Sequence, residues 1–139
     1  VPEVFLALLI VIGLGVTVLS RSISSVRSQP KTPGFEDHEG HEVAKRQMKM
    51  FGGMVSFDLV ANDEASARKV LSGTHYFSLA ESLGGVESLI GHPASMTHGC
   101  IPREERLKVG LTDSLIRLSV GLEDVDDLIQ DLDQALALV

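Results

Sequence analysis

The chain has 139 residues, room for one ordinary domain. Its formal charge of −7 argues against a nucleic-acid partner, because phosphate binding needs a basic face. One cysteine, Cys100, excludes an internal disulfide and suits a reducing compartment. With no Trp and 4% aromatic residues, the core must rest on Leu, Val, Ile and Ala. Charge is unevenly placed: residues 1–33 hold Arg21, Arg27 and Lys31 against Glu3, a balance of +2, which leaves −9 on the remainder. An acidic body of this kind is ordinary for a cytosolic enzyme.

From Val4 to Leu19 run sixteen residues without a charge. As a helix they would span roughly 24 Å at about 1.5 Å per residue, short of the roughly 30 Å and 20 residues of a bilayer core. The stretch lacks the basic start and cleavage site of a signal peptide. Basic residues follow it, the arrangement expected on the cytoplasmic side of a span. Three readings stay open: a membrane anchor, a buried helix or strand, and sequence foreign to the domain behind it. Residues 20–33, rich in Ser with two prolines, read as a linker.

The polar, turn-rich residues 34–41 lead into an expected helix over 41–50, with Val43, Ala44, Gln47 and Met48 on one face and a stop at Gly52 and Gly53. Residues 54–60 alternate cleanly, Val55, Phe57 and Leu59 against Ser56 and Asp58, as a half-buried strand does. Asn62 is expected to cap the next helix, whose stripe is Ala67, Val70 and Leu71 and whose end is Gly73. Residues 76–80 read as a strand, 85–91 as a short helix facing Val86, Leu89 and Ile90 inward, and 94–97 as a short strand. Pro102 opens a helix over 103–109. Residues 115–120 form a clear strand, with Ile116, Leu118 and Val120 on one side and Arg117 and Ser119 on the other. The last helix, 123–138, carries Val125, Leu128, Ile129, Leu132, Ala135 and Leu136 on one stripe above an acidic first turn. Such alternation of short strands and helices builds a small sheet covered by helices, with strand directions open.

Few residues invite chemistry. Arg117 carries a planar fork suited to a carboxylate, though a lone arginine on a strand is more often a surface charge or an ion pair. Ser82 precedes Gly84 and Gly85, where a serine usually turns or caps the chain, and Glu81 beside it reads as a solvated acid. His38 and His41 sit among acids, but the spacing fits no structural zinc pattern and only one thiol is present. His92, His98 and Cys100 have no evident chemistry, and no phosphate-cradling glycine loop appears.

The run Phe-Ser-Leu-Ala-Glu-Ser-Leu-Gly-Gly from Phe77 to Gly85, and Leu-Ile-Arg-Leu-Ser-Val-Gly-Leu-Glu-Asp from Leu115 to Asp124, together resemble the C-terminal domain of the pyridoxal-phosphate-dependent enzymes of Cys/Met metabolism. The likeness runs from about Gly34 to Leu138, which makes residues 34–139 the domain and 1–33 an addition. It implies an α+β fold, an α/β sandwich whose small, mainly antiparallel sheet of about four strands has helices on one face. It implies that Arg117 grips the α-carboxylate of a sulfur amino acid while Ser82 and Leu83 line the pocket. Glu81 resembles the cystathionine gamma-synthase and gamma-lyase branch, where an acid would meet the distal ammonium of cystathionine. Cytoplasmic transsulfuration chemistry, a homo-oligomer and a large pyridoxal-phosphate domain as partner follow from the same likeness. The cofactor needs a Schiff-base lysine, and none of Lys31, Lys45, Lys49, Lys69 and Lys108 lies in the family's Ser-x-Thr-Lys context. The chain is therefore expected to be inactive alone, a fragment or half of a split enzyme; the alternative is a non-catalytic binding or membrane-tethered module.

Overall fold

The computed structural model describes residues 31–139. The apolar stretch from Val4 to Leu19 lies outside them, as does most of the expected linker. Lys31 docks on the sheet directly: its N–H donates to Ser56 O at 2.6 Å, Ser56 N–H returns a bond to Lys31 O at 3.3 Å, and its Nζ pairs with the buried carboxylate of Asp58 at 3.1 Å. Eight elements follow: α1 (His41–Gln47), β1 (Met54–Asp58), α2 (Glu64–Gly73), β2 (Ser78–Leu79), β3 (Leu89–Gly91), α3 (Arg103–Lys108), β4 (Leu115–Ser119) and α4 (Val125–Leu136).

The four strands lie in the order β1-β4-β3-β2. The β1/β4 and β3/β4 pairs are antiparallel and β2/β3 is parallel, so the sheet is mainly antiparallel with β4 inside it. Alternation sends Val55, Phe57, Ile116 and Leu118 to one face, where with Ile90 they meet Ala67, Val70 and Leu71 of α2 and Leu128, Leu132, Ala135 and Leu136 of α4. Burying each large side chain there contributes about 1.5–3 kcal/mol. The opposite face of β4 carries Arg117.

Several local expectations need correction. Residues 85–91 are not a helix: Val86 is exposed, and Leu89–Gly91 is a strand between β2 and β4. All three of its residues are buried, so no alternation marks it, and the spacing of Val86, Leu89 and Ile90 mimics a helix. Residues 94–97 are not a strand but turns, in which Met96 N–H donates to His92 O at 3.0 Å and His98 N–H to Pro93 O at 2.9 Å. The helix α1 is shorter than expected and buries His41 and Ala44, leaving Val43 and Met48 exposed. Its anchor is the imidazole of His41, which donates from Nδ1 to Pro33 O at 2.9 Å and stacks on Phe51. The cap of α2 is Asp63 rather than Asn62: Asp63 is extended and accepts from Ser66 N–H at 2.8 Å. That bond holds its carboxyl below the usual carboxylate range. Asn62 takes a left-handed turn (φ 53°), which its short polar side chain tolerates.

Helix α3 buries no residue and is held by two of its arginines. Arg103 Nε donates to Asp113 at 2.5 Å and Arg106 Nη1 at 3.2 Å. Behind them the fully buried His92 donates from Nε2 to Asp113 O at 2.9 Å and bonds Ser95 Oγ through Nδ1. The hydrogen bond from Arg103 keeps the Asp113 carboxyl below its ordinary range, against the smaller opposing effect of burial. A group with a depressed folded-state pKa stabilises fully above its unfolded value, about 3.9, and loses that contribution as pH falls toward the folded value. Asp113→Asn should therefore flatten the loss of thermal stability between about pH 5 and 3. Parallel melting-temperature profiles for parent and variant would rule out this linkage.

Candidate functional site

Arg117 sits in the middle of β4, opposite Ser56 on β1 and Gly91 on β3. Both neighbours are small, which leaves the guanidinium room over the open face. A Cβ on Gly91 would come within 3.1 Å of Ala80 O, so glycine there admits the returning chain, with Arg117 Nη2 alongside at contact distance, 3.9 Å from that Cβ position. Nη2 donates to Glu81 O at 3.2 Å and Ser82 O at 3.4 Å. Among the described residues no carboxylate pairs with Arg117, and its Nε and Nη1 have no partner. A positive fork with one edge steadied by carbonyls and the other donors open is suited to two parallel charge-assisted bonds to a carboxylate.

Arg117 thus lies at the corner formed by Glu81 and Ser82, but through their backbone. The side chains of Glu81, Ser82 and Leu83 are exposed, and none bonds the arginine. Gly84 turns the corner at φ +76°, a conformation that favours glycine, and its N–H donates to Ser119 Oγ at 2.8 Å. Farther on, Glu123 accepts from Ser88 N–H at 2.6 Å and from Ser88 Oγ at 2.7 Å, and Ser88 Oγ accepts from Gly121 N–H at 2.9 Å. At the entry to β2, the buried Asp131 accepts from the N–H groups of His75, Tyr76 and Phe77 at 2.7, 2.8 and 3.1 Å. Sequence reasoning missed Ser119, Glu123 and Asp131 as supports of the corner. For Ser119 a signal existed, since strand alternation already puts it on the face of Arg117.

The described residues do not fit a covalently held pyridoxal phosphate. Lys31, Lys45 and Lys108 pair with Asp58, Glu42 and Glu105, while Lys49 and Lys69 are exposed at the end of α1 and on α2. Among the described residues no helix is long and apolar enough to cross a membrane.

Residues 23–137 match the family model described as Cys/Met metabolism PLP-dependent enzyme. A cystathionine beta-lyase of Lactococcus lactis subsp. cremoris is 57% identical over 104 residues, and a cystathionine gamma-lyase of Bacillus subtilis (strain 168) is 55% identical over the same length; each alignment takes in 75% of this chain and 27% of the relative. The crystal structure of cystathionine gamma-lyase from yeast superposes with a TM-score of 0.85 at 40% identity, covering 94% of this chain and 33% of that one. The chain therefore matches about a quarter of the length of these curated relatives. Two reaction names share nearly one level of identity, so overall likeness does not separate β- from γ-elimination.

Proposed function

The chain belongs to the Cys/Met metabolism PLP-dependent enzymes, and we propose that residues 34–139 form a substrate-binding C-terminal domain in which Arg117 receives the α-carboxylate of a sulfur amino acid. The carrying observation is the guanidinium, without a carboxylate partner among the described residues, steadied by the carbonyls of Glu81 and Ser82. Ser82 and Leu83 shape the pocket wall, and the exposed Glu81 carboxylate meets the distal ammonium of cystathionine. Pyridoxal phosphate is the family's cofactor; here it and its lysine come from a large domain that works with this one in the cytoplasm, and this chain supplies binding and orientation.

The test joins the chain to a cofactor domain of the family, in trans or by fusion, and supplies cystathionine. Restored release of α-keto acid supports the reading. Persistent inactivity beside an intact, cofactor-loaded large domain favours a plain binding module. The product also separates reaction types, since γ-elimination leaves 2-oxobutyrate and β-elimination leaves pyruvate; Glu81 favours the first. An exposed ion pair is worth up to about 1 kcal/mol, so Glu81→Gln should raise KM for cystathionine about fivefold. A homoserine ester lacking the distal amine should keep its KM. Equal shifts for both substrates would remove Glu81 from this role.

A further inference from the structure

Residues 81–87 are exposed along their whole length, yet the first four are pinned to β4 by two of its side chains. Arg117 holds the carbonyls of Glu81 and Ser82, and Ser119 holds the N–H of Gly84. The two side chains leave one face of the strand two residues apart, roughly 6.8 Å at about 3.4 Å per residue. From this geometry we infer that Ser119 is a positioning residue: by anchoring Gly84 it fixes the register of the corner against β4, and so aims the Arg117 fork. The inference rests on Arg117 being the carboxylate receptor proposed above.

The physical case is that of a two-point clamp. Ser119 is buried and cannot swing away, whereas the loop it holds packs little of itself. Gly84 leaves open space where a Cβ would stand, so no side chain of its own fixes the turn. Without the Ser119 oxygen, the Gly84 N–H turns to water at little cost to the fold, because the loop is already solvated. The corner, still held at its far end where Leu122 N–H donates to Val86 O at 2.8 Å, then loosens ahead of Gly84, the carbonyls of Glu81 and Ser82 leave Nη2, and the arginine regains the rotamer freedom that a carboxylate must remove on binding.

The experiment uses the full 139-residue chain labelled with ¹⁵N, and reads amide exchange at Gly84, the Nε–H signal of Arg117, and the Kd for L-cystathionine. Ser119→Ala should cost about tenfold in Gly84 protection and about three- to tenfold in Kd, and should shift the Arg117 signal, with the melting temperature nearly unchanged. Ser119→Cys, slightly larger and with a weaker acceptor, should fall between, and it serves as the test should the alanine variant not fold. Unchanged Kd and Arg117 signal in Ser119→Ala or Ser119→Cys, while Arg117→Ala abolishes binding, overturns the role of Ser119 and leaves the carboxylate site standing. Binding that survives Arg117→Ala overturns the carboxylate site and this inference with it.

Discussion

Arg117→Ala is expected to lower kcat/KM for cystathionine by roughly 30- to 1000-fold in the enzyme completed with a cofactor domain, the equivalent of about 2–4 kcal/mol. The side chain rises from the middle of β4, with Ser56 and Gly91 as cross-strand neighbours and no carboxylate partner among the described residues. Its removal takes away a charge and a fork together. Arg117→Lys restores the charge alone, and a point ammonium cannot make two parallel bonds to one carboxylate, so it should recover only part of the loss. The core lies on the other face of β4, with Ile116 and Leu118, so the melting temperature should move little in either variant. Steady-state kinetics and a thermal melt on both proteins suffice. A loss below threefold in Arg117→Ala would sink the assignment.

The largest effect on stability is expected at Asp131→Ala, about 3–5 kcal/mol by urea unfolding with an unchanged m value. This carboxylate is nearly fully buried on α4 and gathers three successive backbone N–H groups, those of His75, Tyr76 and Phe77, from a chain more than fifty residues away. Alanine would leave the N–H of Phe77, whose bond is the buried one of the three, without a partner at about 1–3 kcal/mol, and would take from the exposed His75 and Tyr76 two bonds to a charged acceptor, a loss that water offsets in part. Asp131→Asn keeps one acceptor oxygen of the same shape and should lose less. A change under 1 kcal/mol in Asp131→Ala would show that the chain before β2 finds other partners, and would detach Asp131 from the support of the corner.

Elements with one wet face were legible in the residues. β1 and β4 announce themselves by alternation, and α2 and α4 by stripes that the core fills: Ala67, Val70 and Leu71 on one, Leu128, Leu132, Ala135 and Leu136 on the other. β3 was not legible, because a short strand buried on both faces has no period to display. The cap of α2 was missed by one position, since Asn62 and Asp63 are both good caps and the difference lies in which of them the turn leaves extended. At α1, propensity gave way to tertiary contacts, as the ring of His41 found Phe51 and Pro33 and rotated Val43 into solvent.

The candidate site divides along the same line. That Arg117 and Ser119 share the face opposite Ile116 and Leu118 follows from a two-residue period and needs no coordinates. The family motifs, too, stand in the linear order of residues. Which atoms meet is another matter: the carbonyls of Glu81 and Ser82 on Nη2, Gly84 on Ser119, and three N–H groups on Asp131 depend on a parallel pairing of β2 with β3 and on a crossover that sets distant segments side by side. Backbone groups carry no side-chain identity, so no pattern of residue types can announce them; only the folded register brings them within bonding distance.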